Sequence, residues 1–165
     1  MSNAYNKYNK FNGSGNFKVY GNVMSLLYGD NFIDNSEFVE NSTYNLCGLF
    51  YGTTTLIDAS NLVLPATYCN SGCYNGMFRD CTNLSKGPKI LPGITLETDA
   101  YSSMFETCIN LLEGPEIYAM VFNGTSSMMR MFCMNRNSKI TTPKMTKSPI
   151  LPALNGSASC YREMF

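Results

Sequence analysis

Two stretches of this chain, CYNGMFRDCTNL at 73–84 and AYSSMFETCINL at 100–111, keep a Tyr, a Met-Phe pair, a Cys and a Leu at the same intervals. Aligning on Phe78, Phe105, Phe132 and Phe165 gives spacings of 27, 27 and 33 residues. Four positions before the Phe stand Tyr74, Tyr101, Met128 and Tyr161, and one before it stand Met77, Met104, Met131 and Met164. Three positions after it come Cys81, Cys108 and Asn135; six after it come Leu84, Leu111 and, degenerately, Ser138. Pro65, Pro92, Ala119 and Pro152 precede the Phe by 13, and the pattern reaches back to Phe50 with Leu46, Leu49, Thr53 and Leu56. A unit this small cannot hide its own apolar positions, so the copies must pack on one another.

The offsets −4, −1, 0 and +3 are the i, i+3, i+4, i+7 positions of one helix face, which predicts a two-turn amphipathic helix in every unit. Polar residues that can cap a first turn precede each one: Asn70 and Ser71, Thr98 and Asp99, Thr125 and Ser126, Ser157 and Ser159. Beyond the helix, LSKGPKILP (84–92) and LLEGPEI (111–117) read as one or two short strands broken by Gly-Pro. A helix this short is marginal alone, so stacking is the natural outcome. The reading is an α/β repeat solenoid with one short helix and one or two short strands per 27-residue unit. The predicted core is Tyr74, Met77, Phe78, Cys81, Leu84, Tyr101, Met104, Phe105, Cys108, Leu111, Met128, Met131 and Phe132. Residues 1–40 lack the pattern and read as an N-terminal arm and cap, with 41–165 as the repeats and the last unit incomplete. The six extra residues of the third unit place a bulge near Lys144 to Ser148.

Composition narrows function. Twelve Lys and Arg balance twelve Asp and Glu, so no net field gathers nucleic acid or an anionic membrane. The absence of His removes the commonest general base and zinc ligand, and neither a nucleophilic constellation nor a phosphate-binding Gly-rich loop replaces it. A non-enzymatic role without cofactor, metal or catalytic residues is therefore expected. The longest apolar run, YAMVF at 118–122, is too short to span a bilayer, and no secretory signal opens the chain. Seven cysteines cannot all pair within one chain. They can form a buried ladder of small apolar groups, the leading reading, or a disulfide such as Cys69 to Cys73 or Cys73 to Cys81. A zinc site from Cys69, Cys73 and Cys81 would still need a fourth ligand.

The F-x-x-C-x-x-L segment followed by a strand and Pro resembles the BspA-like leucine-rich repeats of bacterial surface, protozoan and phage-encoded proteins. The unit ILPGITLETDAYSSMFETCINLLEGPEI is similar to their longer variety, with its LP, CY and MF signatures. The resemblance covers about 42–165 and implies a right-handed leucine-rich-repeat coil used for protein or glycan binding, adhesion or virion attachment. The unit at 128–143 departs from it by lacking the Cys and Leu, and the chain stops in mid-unit at Phe165.

Two functions follow as expectations. One is an adhesion module that presents a face of the solenoid to a protein or glycan at a cell surface. The other is a structural component of a phage particle or similar assembly, packed against neighbouring subunits. Self-association through the incomplete C-terminal coil would belong to the second, as would a location in the virion rather than outside a cell. The outward positions Arg79, Asp80, Glu106, Arg130, Arg162 and Glu163 are the exposed candidates for ligand contact.

Overall fold

The structure, a computed structural model of the chain, describes residues 13–134, 144–151 and 158–165. The Asn-rich segment up to residue 12, and the positions Asn135, Ser138, Pro152 and Ser157, lie outside the described residues.

The segments expected to be helices are not helical. Residues 71–80 form a run of overlapping turns in which Gly72, Gly76 and Asp80 all have φ near +60°. Asp99, Ser103 and Thr107 repeat that conformation in the next unit, Ser126 and Arg130 in the third, and Ser159 and Glu163 in the last. A left-handed residue at every fourth position reverses the local winding, so an α-helix cannot propagate through it.

The hydrogen bonds show what replaces the helix. The amides of Cys73, Asn75, Met77, Arg79 and Cys81 donate to the carbonyl three residues earlier. Those between them, Gly72, Tyr74, Gly76, Phe78 and Asp80, donate to Thr98, Ala100, Ser102, Met104 and Glu106 of the following unit. Half of the backbone donors are thus satisfied within the unit and half by its neighbour, which leaves few buried amides unpaired. The local cost of left-handed non-Gly residues, about 1–2 kcal/mol each, is offset by bonds that exist only when the next unit is in place.

These facts overturn the expected α/β leucine-rich-repeat-like solenoid with a helix in each unit. Among the described residues there is one α-helix, α1 (Ser25–Tyr28), which lies outside the repeats and runs into a 3₁₀ turn at Gly29–Asp34. The strands are β1 (Phe17–Asn22), β2 (Leu56–Val63), β3 (Tyr68–Cys69), β4 (Ile90–Leu91), β5 (Thr95–Leu96), β6 (Glu116–Ile117) and β7 (Val121–Phe122). They pair only in parallel, as β1-β2, β3-β5-β7 and β4-β6. None of the described helices is long and apolar enough to cross a membrane.

Side chains from successive units meet in register. Phe50, Phe78, Phe105, Phe132 and Phe165 form one column of near-parallel rings with centroids 5.4–5.7 Å apart. Tyr74 and Tyr101 stack beside them at 5.8 Å. All thirteen residues assigned to the core from the sequence are buried. The two residue choices at +3 have a common reason: the Cys81 thiol donates to the Phe50 carbonyl at 2.9 Å and the Cys108 thiol to the Phe78 carbonyl at 3.0 Å. Cys here is a small apolar filler that still carries one weak donor. All seven cysteines are buried free thiols.

Candidate functional site

The six charged residues singled out in the sequence form one string of ionic contacts. Asp80 lies 3.9 Å from Arg79, and Arg79 lies 3.3 Å from Glu106. Glu106 meets Arg130 at 2.8 Å, Arg130 meets Glu163 at 3.8 Å, and Glu163 meets Arg162 at 3.7 Å. Repeat stacking brings them together, because positions near the same Phe project from successive layers on the same side.

Glu106 corrects the expectation that all six face water. Its side chain is only 1% exposed, held between two guanidinium groups. A carboxylate taken out of water is tolerated when opposite charges flank it, and strongly destabilising when one is removed. Arg79 also sits 5.8 Å above the Tyr51 ring, and burial together with the nearby Asp80 carboxylate pushes the Tyr51 phenol up. Three cations and three anions already neutralise one another, so this string braces the layers and offers little unspent charge to a ligand. The Lys144 to Ser148 bulge runs beside 112–114, with Thr146 and Lys147 donating backbone bonds to the Leu112 carbonyl.

A second place has different chemistry. Where β3 and β5 end beside the N-terminal cap, a cleft of about 620 Å³ opens among Phe38, Glu40, Asn41, Ser42, Thr43, Tyr68, Asn70, Ser71 and Glu97. Strand register builds it. Cys69 pairs with Leu96 and Leu96 with Phe122, so Asn70, Glu97 and Asn123 follow at successive strand ends.

Each wall is fixed by bonds inside the protein. The Glu37 carboxylate accepts from the Thr67 amide and hydroxyl and from the Tyr68 amide, which ties the cap to β3. Tyr68 donates its hydroxyl to Glu97 Oε1 at 2.5 Å, and Asn123 Nδ2 donates to the same oxygen at 3.0 Å. The hydrogen bond to Glu97 pushes the Tyr68 phenol above its usual range, and Glu40 acts in the same direction. Asn70 is only 6% exposed, and its Nδ2 donates to the Val39 carbonyl at 2.9 Å and to Ser42 Oγ at 3.0 Å. Because Val39 O can only accept, that amide orientation is unambiguous.

The sequence did not reveal this cleft, because its walls come from residues 38–43, one strand end and the next, with no local motif. The only legible sign was the spacing of 27 between Asn70 and Glu97. Among the described residues there is no cluster of three or more His, Cys, Asp or Glu side chains able to hold a metal ion. No family model, curated protein or solved structure matches the chain.

Proposed function

We propose that the protein is a non-enzymatic binding module that engages a protein or glycan at a cell surface through the cleft at the ends of β3 and β5. The observation that carries this reading is the cleft itself. Its volume falls in the range of small-molecule and side-chain pockets, and its walls join aromatic surface to a few positioned polar groups. The resemblance of the units to BspA-like repeats supports the same role. The balanced net charge supports recognition by local contacts over long-range attraction to nucleic acid or a membrane.

The second reading, a structural component of a phage particle or similar assembly, is favoured by apolar side chains outside the lining of the cleft. Ile90, Ile94, Tyr118, Met120, Val121 and Ile150 are exposed apolar residues in or beside the short strands. Exposed apolar side chains of this kind suit burial against neighbouring subunits. Arrays of immobilised glycans and peptides, probed with the chain at known oligomeric state, separate the two. Saturable binding by a monomer that Asn70→Ala and Glu97→Gln weaken supports the first reading. A defined oligomer that binds nothing on the arrays, and dissociates on Met120→Asp, would replace it with the second.

A further inference from the structure

Three side-chain donors of the cleft are spent inside the protein: the Tyr68 hydroxyl on Glu97, the Asn70 amide on Val39 and Ser42, and the Ser42 hydroxyl on Val39 or Asn45. Asn41, Thr43 and Ser71 also line it. Beside the spent donors, strong acceptors are left open. Asn70 Oδ1, on a side chain more than nine-tenths buried, takes no bond from any described residue, and neither does Glu97 Oε2. Among the described residues, the Glu40 carboxylate has no ion pair and no Lys or Arg lines the cleft.

A bound group that complements Asn70 Oδ1, Glu97 Oε2 and Glu40 must bring donors. A sugar hydroxyl brings one donor and no charge, whereas a guanidinium has five N–H donors, no acceptor and a positive charge to set against two carboxylates. The Tyr68 ring, 46% exposed with its hydroxyl pinned to Glu97, adds a flat face beside a carboxylate. A planar cation can lie on such a face while its N–H edge reaches the carboxylate, a combination open to Arg and less so to Lys.

On the reading that the cleft is a binding site, we infer that its occupant is an arginine side chain carried by an exposed basic segment of a partner protein. The guanidinium lies over Tyr68 and donates to Glu97 Oε2 and Asn70 Oδ1, with Glu40 completing the negative side.

The test is a titration of the ¹⁵N-labelled full chain with acetyl-Gly-Arg-Gly-amide, its Lys counterpart, and its citrulline counterpart, which keeps the shape and removes the charge. A neutral hexose oligomer and a glucosamine oligomer are titrated in parallel. The expected result is saturable shifts at Tyr68, Asn70 and Glu97 with the Arg peptide, weaker binding of Lys, and at least tenfold weaker binding of citrulline. Binding should weaken as salt rises. Glu97→Gln should reduce affinity at least tenfold. Glu40→Gln, at an exposed residue with no described partner, should reduce it severalfold without altering the fold.

Equal binding of the Arg and citrulline peptides would overturn the inference. If an oligosaccharide shifts the same residues and the Arg peptide does not, the arginine inference falls while the binding-module reading stands. If neither peptides nor oligosaccharides shift the cleft, both fall.

Discussion

Phe105→Ala probes the stacking of the units most directly. The ring is 1% exposed and lies between Phe78 at 5.4 Å and Phe132 at 5.6 Å, at interplanar angles of 4° and 2°. Truncating a buried Phe costs about 3–5 kcal/mol, more when the surroundings cannot close on the cavity. Closure is obstructed here, because the flanking rings are held by backbone bonds between layers: Phe78 donates to Met104 O and Phe132 to Met164 O. The loss should therefore fall near the top of the range, about 4–5 kcal/mol. At roughly 2–4 °C per kcal/mol for a chain of this size, the midpoint should drop by about 8–20 °C.

Phe165 provides the internal control, since it occupies the same column with one ring neighbour and is 68% exposed. Phe165→Ala should cost about 1 kcal/mol, the scale of one aromatic pair. Urea unfolding followed by circular dichroism measures both variants. Equal losses, or an unchanged midpoint for Phe105→Ala, would refute the claim that the ring column holds the layers together.

Other perturbations test neighbouring features. Glu106→Gln should destabilise by about 1–3 kcal/mol, less than a fully buried pair because Arg79 and Arg130 are partly exposed and can rehydrate; a double-mutant cycle with Arg130→Met reads the coupling. Gly124→Ala should cost about 2 kcal/mol or more by overpacking, since an added methyl would stand 1.8 Å from the Thr98 amide nitrogen, and thermal unfolding detects it. Burial pushes the Cys81 thiol from its ordinary 9.0 up to about 12. That raised value means Cys81 contributes stability that is fully present below pH 9 and is lost between pH 9 and about pH 12, so Cys81→Ala should flatten the alkaline limb of the stability curve. Cys108→Ser should lower stability with no release of metal; stoichiometric zinc in the purified protein would overturn the buried-ladder reading.

The repeat was readable at single-residue resolution, and its conformation was not. Tyr74, Met77, Phe78 and Cys81 are buried together, as a helix face requires, yet they lie on a ribbon of turns whose left-handed residue recurs every fourth position. Over eight residues a period of four and one of 3.6 bury the same offsets, so the apolar pattern could not distinguish them. One sign was present. Gly48 and Gly52, and again Gly72 and Gly76, stand four apart inside supposed helices, where Gly is a poor choice and a positive φ is the usual reason for it. Later units conceal that sign by using Asp99, Ser103, Thr107 and Arg130 at equivalent places.

By itself, then, the order of residues determined which side chains are hidden and that copies must cover one another, because burying a Phe, a Met or a Cys is a local demand set by its own chemistry. Tertiary structure alone decided how the backbone satisfies its amides, since an N–H such as that of Tyr74 finds its acceptor, Ala100 O, only when the next unit is docked. It alone also turned Glu106 from a surface charge into a buried brace and joined Tyr68, Asn70 and Glu97 to the cap as a cleft. Both depend on which layers face each other, a relation between distant segments that no short window of sequence contains.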